Sequence, residues 1–93
     1  MTRSEYGTLV MTRGIKFATE ETPSFIKEVL TAFDRYKKND WGDMSDADKE
    51  LNDEAVVNGN ERIFAVYNTT KGKIYIITEW DRSATTILFS DEY

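Results

Sequence analysis

Arg62-Ile63-Phe64-Ala65-Val66-Tyr67, Asn68-Thr69-Thr70-Lys71-Gly72 and Lys73-Ile74-Tyr75-Ile76-Ile77-Thr78-Glu79-Trp80 decide the fold of this chain. The first and third runs are rich in β-branched and aromatic residues, and the polar pentapeptide between them has the composition of a hairpin loop. A further run of the same kind, Ala84 to Phe89, follows the polar Asp81-Arg82-Ser83 turn. Ile74 to Thr78 is apolar on both alternating faces, which predicts a central strand with a hairpin partner on each side. The expectation is a meander of three antiparallel strands over residues 62–89.

Upstream, the period changes from alternating to helical. Ile26, Val29, Leu30, Phe33 and Tyr36 recur at steps of three and four, with Thr22 as N-cap and Pro23 at the first helical position. Glu20 and Glu21 at the start and Lys37 and Lys38 at the end suit the helix dipole, and Gly42 lies just beyond. These signals predict a helix over 23–39. Ser45 with Asp48 three residues on, and Asn58-Gly59 as a stop, predict a second helix over 46–58. Its apolar line, Ala47, Leu51 and Ala55, is thin, so it should lie on the surface with Asp46, Glu50, Asp53 and Glu54 toward solvent. Thr8-Leu9-Val10-Met11-Thr12 reads as a short strand from which Arg13-Gly14 bends the chain away, and residues 1–7 as a loose tail.

The fold class expected is therefore α+β: a three-stranded antiparallel meander sheet packed against two N-terminal helices, in one domain spanning residues 1–93. The core expected between the layers is Ile26, Val29, Leu30, Phe33, Leu51, Ile63, Ala65, Ile74, Ile76, Ile87 and Phe89. Trp41 should close one end of it.

A chain of 93 residues with 40% apolar composition can form one compact core and no second domain. It has no cysteine and no histidine, so disulfides, thiolate and histidine metal sites, and histidine-based nucleophilic triads are all excluded. No apolar run approaches the roughly 18 to 20 residues that span a bilayer, and the start lacks a signal-peptide stretch, which points to the cytoplasm and away from membranes.

Other chemistry finds little support. Asp46, Asp48 and Glu50 occupy the first, third and fifth positions of a calcium loop, but Leu51 and Val57 stand where that loop needs glycine and glutamate. Asp43, Glu79 and Asp81 are the carboxylates available for acid/base work, and nothing in their spacing pairs them. Ser83 has neither a histidine base nor a Gly-x-Ser-x-Gly context. The glycines are isolated, so no phosphate loop assembles. Arg35, Lys37, Lys38 and the pair Lys71 and Lys73 are clusters too short for a nucleic-acid stripe. No enzyme activity, cofactor, metal or direct nucleic-acid contact is expected.

The charge distribution is more informative than the total of −5. Asp40 to Glu61 holds eight acids and one base, a net of −7, while the remainder holds nine acids and eleven bases, a net of +2.

Asp40-Trp41-Gly42-Asp43, Asp48-Lys49, Asn52-Asp53-Glu54-Ala55 and the long run Ile76 to Phe89 with Asp91-Glu92-Tyr93 resemble a family of small proteins carried on plasmids and integrative elements. The resemblance covers roughly residues 12–93, and Ser90 stands where relatives often carry proline. Members are labelled plasmid-related proteins, or type I restriction subunits, a label that fits neither their size nor their lack of a methyltransferase motif. What the resemblance implies is a setting, an accessory gene of a mobile element, and such genes include inhibitors of host defence systems. The expectation is a non-enzymatic protein that binds a basic protein partner, a nucleic-acid-binding effector of restriction or CRISPR type, through an acidic surface. The candidate partner-binding residues are Asp43, Asp46, Glu50, Asp53, Glu54, Trp80 and Arg82. The alternative is a regulatory or structural accessory protein acting through an apolar interface, with a carboxylate enzyme behind both.

Overall fold

The computed structural model describes residues 6–93. Its elements are β1 (Thr8–Met11), α1 (Arg13–Glu21), α2 (Phe25–Lys37), α3 (Asp46–Asn58), β2 (Ile63–Thr69), β3 (Gly72–Thr78) and β4 (Ala84–Phe89), followed by a 3-10 turn at Ser90–Glu92. The α+β class and the antiparallel meander are as expected. Ile76 faces Ala65 on one side and Ile87 on the other, which places β3 between its two hairpin partners.

Two features correct the expected architecture. The sheet has four strands in the order β1-β4-β3-β2, and β1 lies parallel to β4, so the sheet is mixed. Three helices cover it, because the segment after β1 forms α1 where a bend was expected. Gly14 reads locally as a breaker, but Thr12 caps α1 and the far end of the chain completes the cap. Thr12 Oγ1 accepts from Ile15 N–H, and the Glu92 carboxylate accepts from Gly14 N–H at 3.1 Å and from the Thr12 hydroxyl at 2.7 Å. Thr22 accordingly ends α1 as its C-cap and does not begin α2. Its backbone lies outside the helical region, as a following proline requires, and Pro23-Ser24 then turns the chain into α2.

The core lies between the helices and one face of the sheet. Phe25, Val29, Ala32 and Tyr36 of α2 meet Ile63, Ala65, Tyr67, Ile74, Ile76 and Ile87, with Ile15 and Ala18 from α1 and Ala55 from α3. Trp41 is buried and closes the core edge to face with Tyr36 at 5.4 Å, as expected. Of the expected core, Ile26, Phe33 and Phe89 lie at its border, while Leu30 and Leu51 are 49% and 57% exposed. The face of α2 turned inward is thus one step round from the anticipated stripe, because Phe25 and Ala32 fit the sheet more closely than Leu30.

A polar thread runs through this core. Thr85 Oγ1 donates to the Tyr6 carbonyl at 2.6 Å, which uses its one hydroxyl hydrogen. Thr78 must therefore donate to Thr85 at 2.8 Å, and Tyr36 to Thr78 at 2.6 Å. Every buried hydroxyl among the described residues is satisfied, and Tyr6, two residues before β1, is tied to the centre of the sheet. Burial pushes the Tyr36 phenol far above its ordinary pKa, so it stays a donor. The expected loose tail falls partly on residues 1–5, outside the described residues. Tyr6 and Gly7 are docked, with the Tyr6 ring against Phe33 and Tyr36.

Candidate functional site

Helix α3 starts and stops where its caps dictate. Ser45 Oγ accepts from Asp48 N–H at 3.2 Å, and Gly59, at φ 71°, closes the other end in the left-handed conformation that glycine adopts without strain. Only Asn52 and Ala55 of this helix are buried. What holds it is therefore mostly polar.

Three attachments fix α3, and the first of them is to the edge strand β2. The Asn52 side chain donates to the Phe64 carbonyl at 2.8 Å and accepts from Phe64 N–H at 3.2 Å, taking the place of a neighbouring strand. Trp41 Nε1–H donates to Asp53 Oδ1 at 2.9 Å. The Arg82 guanidinium reaches the carbonyls of Ala55 at 2.8 Å and Glu61 at 2.6 Å, a cation at the negative end of the helix dipole. It also donates to the carbonyls of Glu79 and Trp80 in its own turn. Ahead of the helix, Gly42 bridges to Val66, with Val66 N–H donating to Trp41 and Asp43 N–H donating to Val66. A Cβ on Gly42 would lie 2.0 Å from the Val66 carbonyl oxygen, so this close approach requires glycine.

The outer side of α3 is left free. Of the eight acids between Asp40 and Glu61, three serve the fold: Asp40 pairs with Arg35 at 2.7 Å, Asp43 with Lys73 at 3.1 Å, and Asp53 with Trp41. The Asp43 carboxyl is held below its usual range by the hydrogen bonds from Lys73 and Asn68. Among the described residues, the carboxylates of Asp46, Asp48, Glu50, Glu54 and Glu61 have no hydrogen-bonding or ion-pair partner. Beside Asp48 lies an open groove of about 490 Å³ between α3 and the uncovered face of β2. Met44, Leu51, Phe64 and Val66 form its apolar side, Asp43 and Asp48 are its acids, and Arg62, bonded to the Tyr93 hydroxyl, is its one base.

The structure brings Asp46, Glu50, Asp53 and Glu54 together on one helix, with Asp43 just ahead of its N-terminus. Arg82 lies at its other end, committed to main-chain carbonyls. Trp80 stands apart in the turn between β3 and β4, 64% exposed. Asp43 is not brought to Glu79, because Lys73, which holds Asp43, lies next to Gly72 at the start of β3 and Glu79 follows the strand's end, roughly 20 Å of strand away. No group of three or more acids among the described residues is placed to hold a metal ion, and no helix there is long and apolar enough to cross a membrane. Sequence reasoning missed the role of Asn52, whose only signal was an amide in the inward line of a helix otherwise poor in apolar residues.

Comparison with protein-family models, with curated proteins and with solved structures finds no match.

Proposed function

We propose that this chain is a non-enzymatic binding protein that docks on a basic protein surface through the outer face of α3 and the adjoining groove. One observation carries the reading. The inward side of α3 is tied down by Asn52, Asp53 and Arg82, while Asp46, Asp48, Glu50 and Glu54 are left without partners among the described residues, and Asp48 borders a groove with an apolar side. A lysine or arginine side chain presents the complement of that arrangement, methylenes for Leu51 and Phe64 and a charged head for Asp48. The net of −7 over residues 40–61 would also speed encounter with a positively charged groove.

The partner class proposed is a nucleic-acid-binding effector of a host defence system, a restriction or CRISPR complex, whose groove this chain occupies in place of nucleic acid. The support is the resemblance to mobile-element proteins together with the acidic surface. The test is competition: restriction and CRISPR effectors are loaded with labelled DNA, and release is followed as the protein is added at increasing salt. Release that weakens steeply with ionic strength, and is lost in the triple variant Asp46→Asn, Glu50→Gln, Glu54→Gln, supports the reading. Release that the triple variant leaves unaltered removes the acidic face as the binding surface.

A further inference from the structure

Helix α3 has a depression on each flank. Leu51 lines the groove already described, and Val56, five residues on and so about 140° round the helix, lines a second cavity on the other side. This one holds about 220 Å³ and is walled by Tyr6, Trp41, Val56 and Ile63, with Asn39 and Arg82 as its polar members. Trp41 and Ile63 are buried, while Val56 is 40% exposed. Among the described residues no acid lines it, so in a chain of net charge −5 this cavity is cationic.

Its two polar members stand on unusual backbone. Asn39 and Arg82, both at φ 62°, are the only non-glycine residues among those described with positive φ. Asparagine adopts this region readily, whereas arginine carries a steric cost there. Arg82 N–H donates to the Glu79 carbonyl at 2.9 Å and Glu79 N–H to Ala84, which makes Arg82 the bulge residue of a hairpin turn, a position that glycine fills without strain. Such outliers gather where a side chain is put to use. Capping α3 uses only part of this one: the carbonyls of Glu61, Glu79 and Trp80 accept from Nη1, and that of Ala55 accepts from Nη2. Nε–H and one hydrogen of Nη2 have no acceptor among the described residues, and no carboxylate pairs with the cation. Nε and Nη2 form one edge of the guanidinium, a fork that fits both oxygens of a carboxylate.

We infer that this cavity binds a small aromatic monocarboxylate, with the two oxygens on the Nε–Nη2 edge of Arg82 and the ring among Tyr6, Trp41 and Ile63. Volume sets the size of the ligand. An enclosed apolar cavity of about 150 Å³ accommodates benzene, so about 220 Å³ admits one ring and its carboxylate. Charge sets the class. With one cation and mostly apolar walls, a phosphate dianion would lose its water without enough donors to replace it, whereas a carboxylate is met by a single fork. The Asn39 amide, which has no partner among the described residues, supplies a further donor. The site lies on the opposite flank of α3 from the groove and needs no protein partner.

Phenylacetate is the probe, with phenylacetamide as its neutral counterpart and acetate as the anion without a ring. In nitrogen–proton correlation spectra at low salt, phenylacetate should shift the Trp41 indole and Arg82 Nε–H signals saturably and leave the amides of Leu51 and Val66, in the groove, unmoved. It should bind at least about tenfold more tightly than either phenylacetamide or acetate. Val56→Glu sets a carboxylate on the cavity wall to compete for Arg82 and should weaken phenylacetate at least about tenfold, while the uncharged Val56→Gln leaves it within about threefold. Circular dichroism confirms that both variants are folded, and the comparison of ligands on the wild type stands without them. Shifts that do not saturate, equal binding of phenylacetate and phenylacetamide, or wild-type affinity in Val56→Glu overturns the inference. Acetate that binds as tightly as phenylacetate overturns it too, by reducing the site to an adventitious ion only.

Discussion

Helices α2 and α3 are both 13 residues long and are attached to the sheet by opposite means. The first turns two aromatic rings, a valine and an alanine into the core, and several of its charged groups have partners: Lys37 with Asp34, Arg35 with Asp40, Glu28 with Thr70. The second buries one alanine and one asparagine and is held through polar bonds, with its outer carboxylates unpartnered among the described residues. The difference teaches that α2 is a structural member whose removal takes the core with it. Helix α3 is a presented surface, fixed in position yet contributing little burial.

The contrast is broken most directly at Phe25. Phe25→Ala should destabilise the domain by about 3 to 5 kcal/mol, enough to unfold much of so small a protein. Phe33→Ala, one step round the helix, should cost clearly less, because that ring sits at the border of the core. Paired denaturant titrations decide it, and equal losses would show that the two faces of α2 count alike.

Polar attachments come next in size. Thr78→Val leaves the buried Tyr36 hydroxyl without its acceptor, and Asn52→Ala leaves the main chain of Phe64 unpaired, each expected to cost about 1 to 3 kcal/mol. Hydrogen exchange separates them: Thr78→Val should loosen the centre of the sheet, and Asn52→Ala only β2 and α3. Loosening of the whole sheet by Asn52→Ala would contradict the separate roles of the two helices.

A smaller effect is carried by pH through Glu92. Burial raises its carboxyl pKa, but hydrogen bonds from Phe89 N–H, the Thr12 hydroxyl and Gly14 N–H outweigh that, and the net shift is downward. With the folded pKa below the unfolded one, the stabilisation is complete above the unfolded carboxyl pKa and is lost as pH falls through the folded value. Glu92→Gln should therefore lower the melting temperature at neutral pH and flatten its decline in acid, and a parallel decline in both proteins would show that Glu92 does not cap α1. The smallest change is expected at Asp46, Glu50 and Glu54. Replacing all three with their amides should alter stability by no more than about 0.5 kcal/mol, so that any loss of binding reads the surface alone.

Legibility follows the range of the interactions. Ser45 capping Asp48, Gly59 ending α3, and the alternation of β2, β3 and β4 are settled by residues a few positions apart or by burial period, and all were readable from the chain. The surplus of acids between Asp40 and Glu61, and their place on a helix poor in apolar residues, was readable for the same reason. Helix α1 was not, because Gly14 near its start reads as a breaker and the carboxylate that takes its N–H, beside the local cap Thr12, lies 78 residues away. Nor was the parallel pairing of β1, whose partner strand begins with Ala84 facing Thr8. Which stripe of α2 faces inward, and whether Asp53 and Arg82 are free or spent on Trp41 and Ala55, depends on shapes and donors brought together only by the fold. Sequence by itself thus determined the local elements and the charge they carry. Tertiary structure alone decided their partners, because a backbone edge, a cap or a buried donor is satisfied by whatever group is near in space, at any distance along the chain.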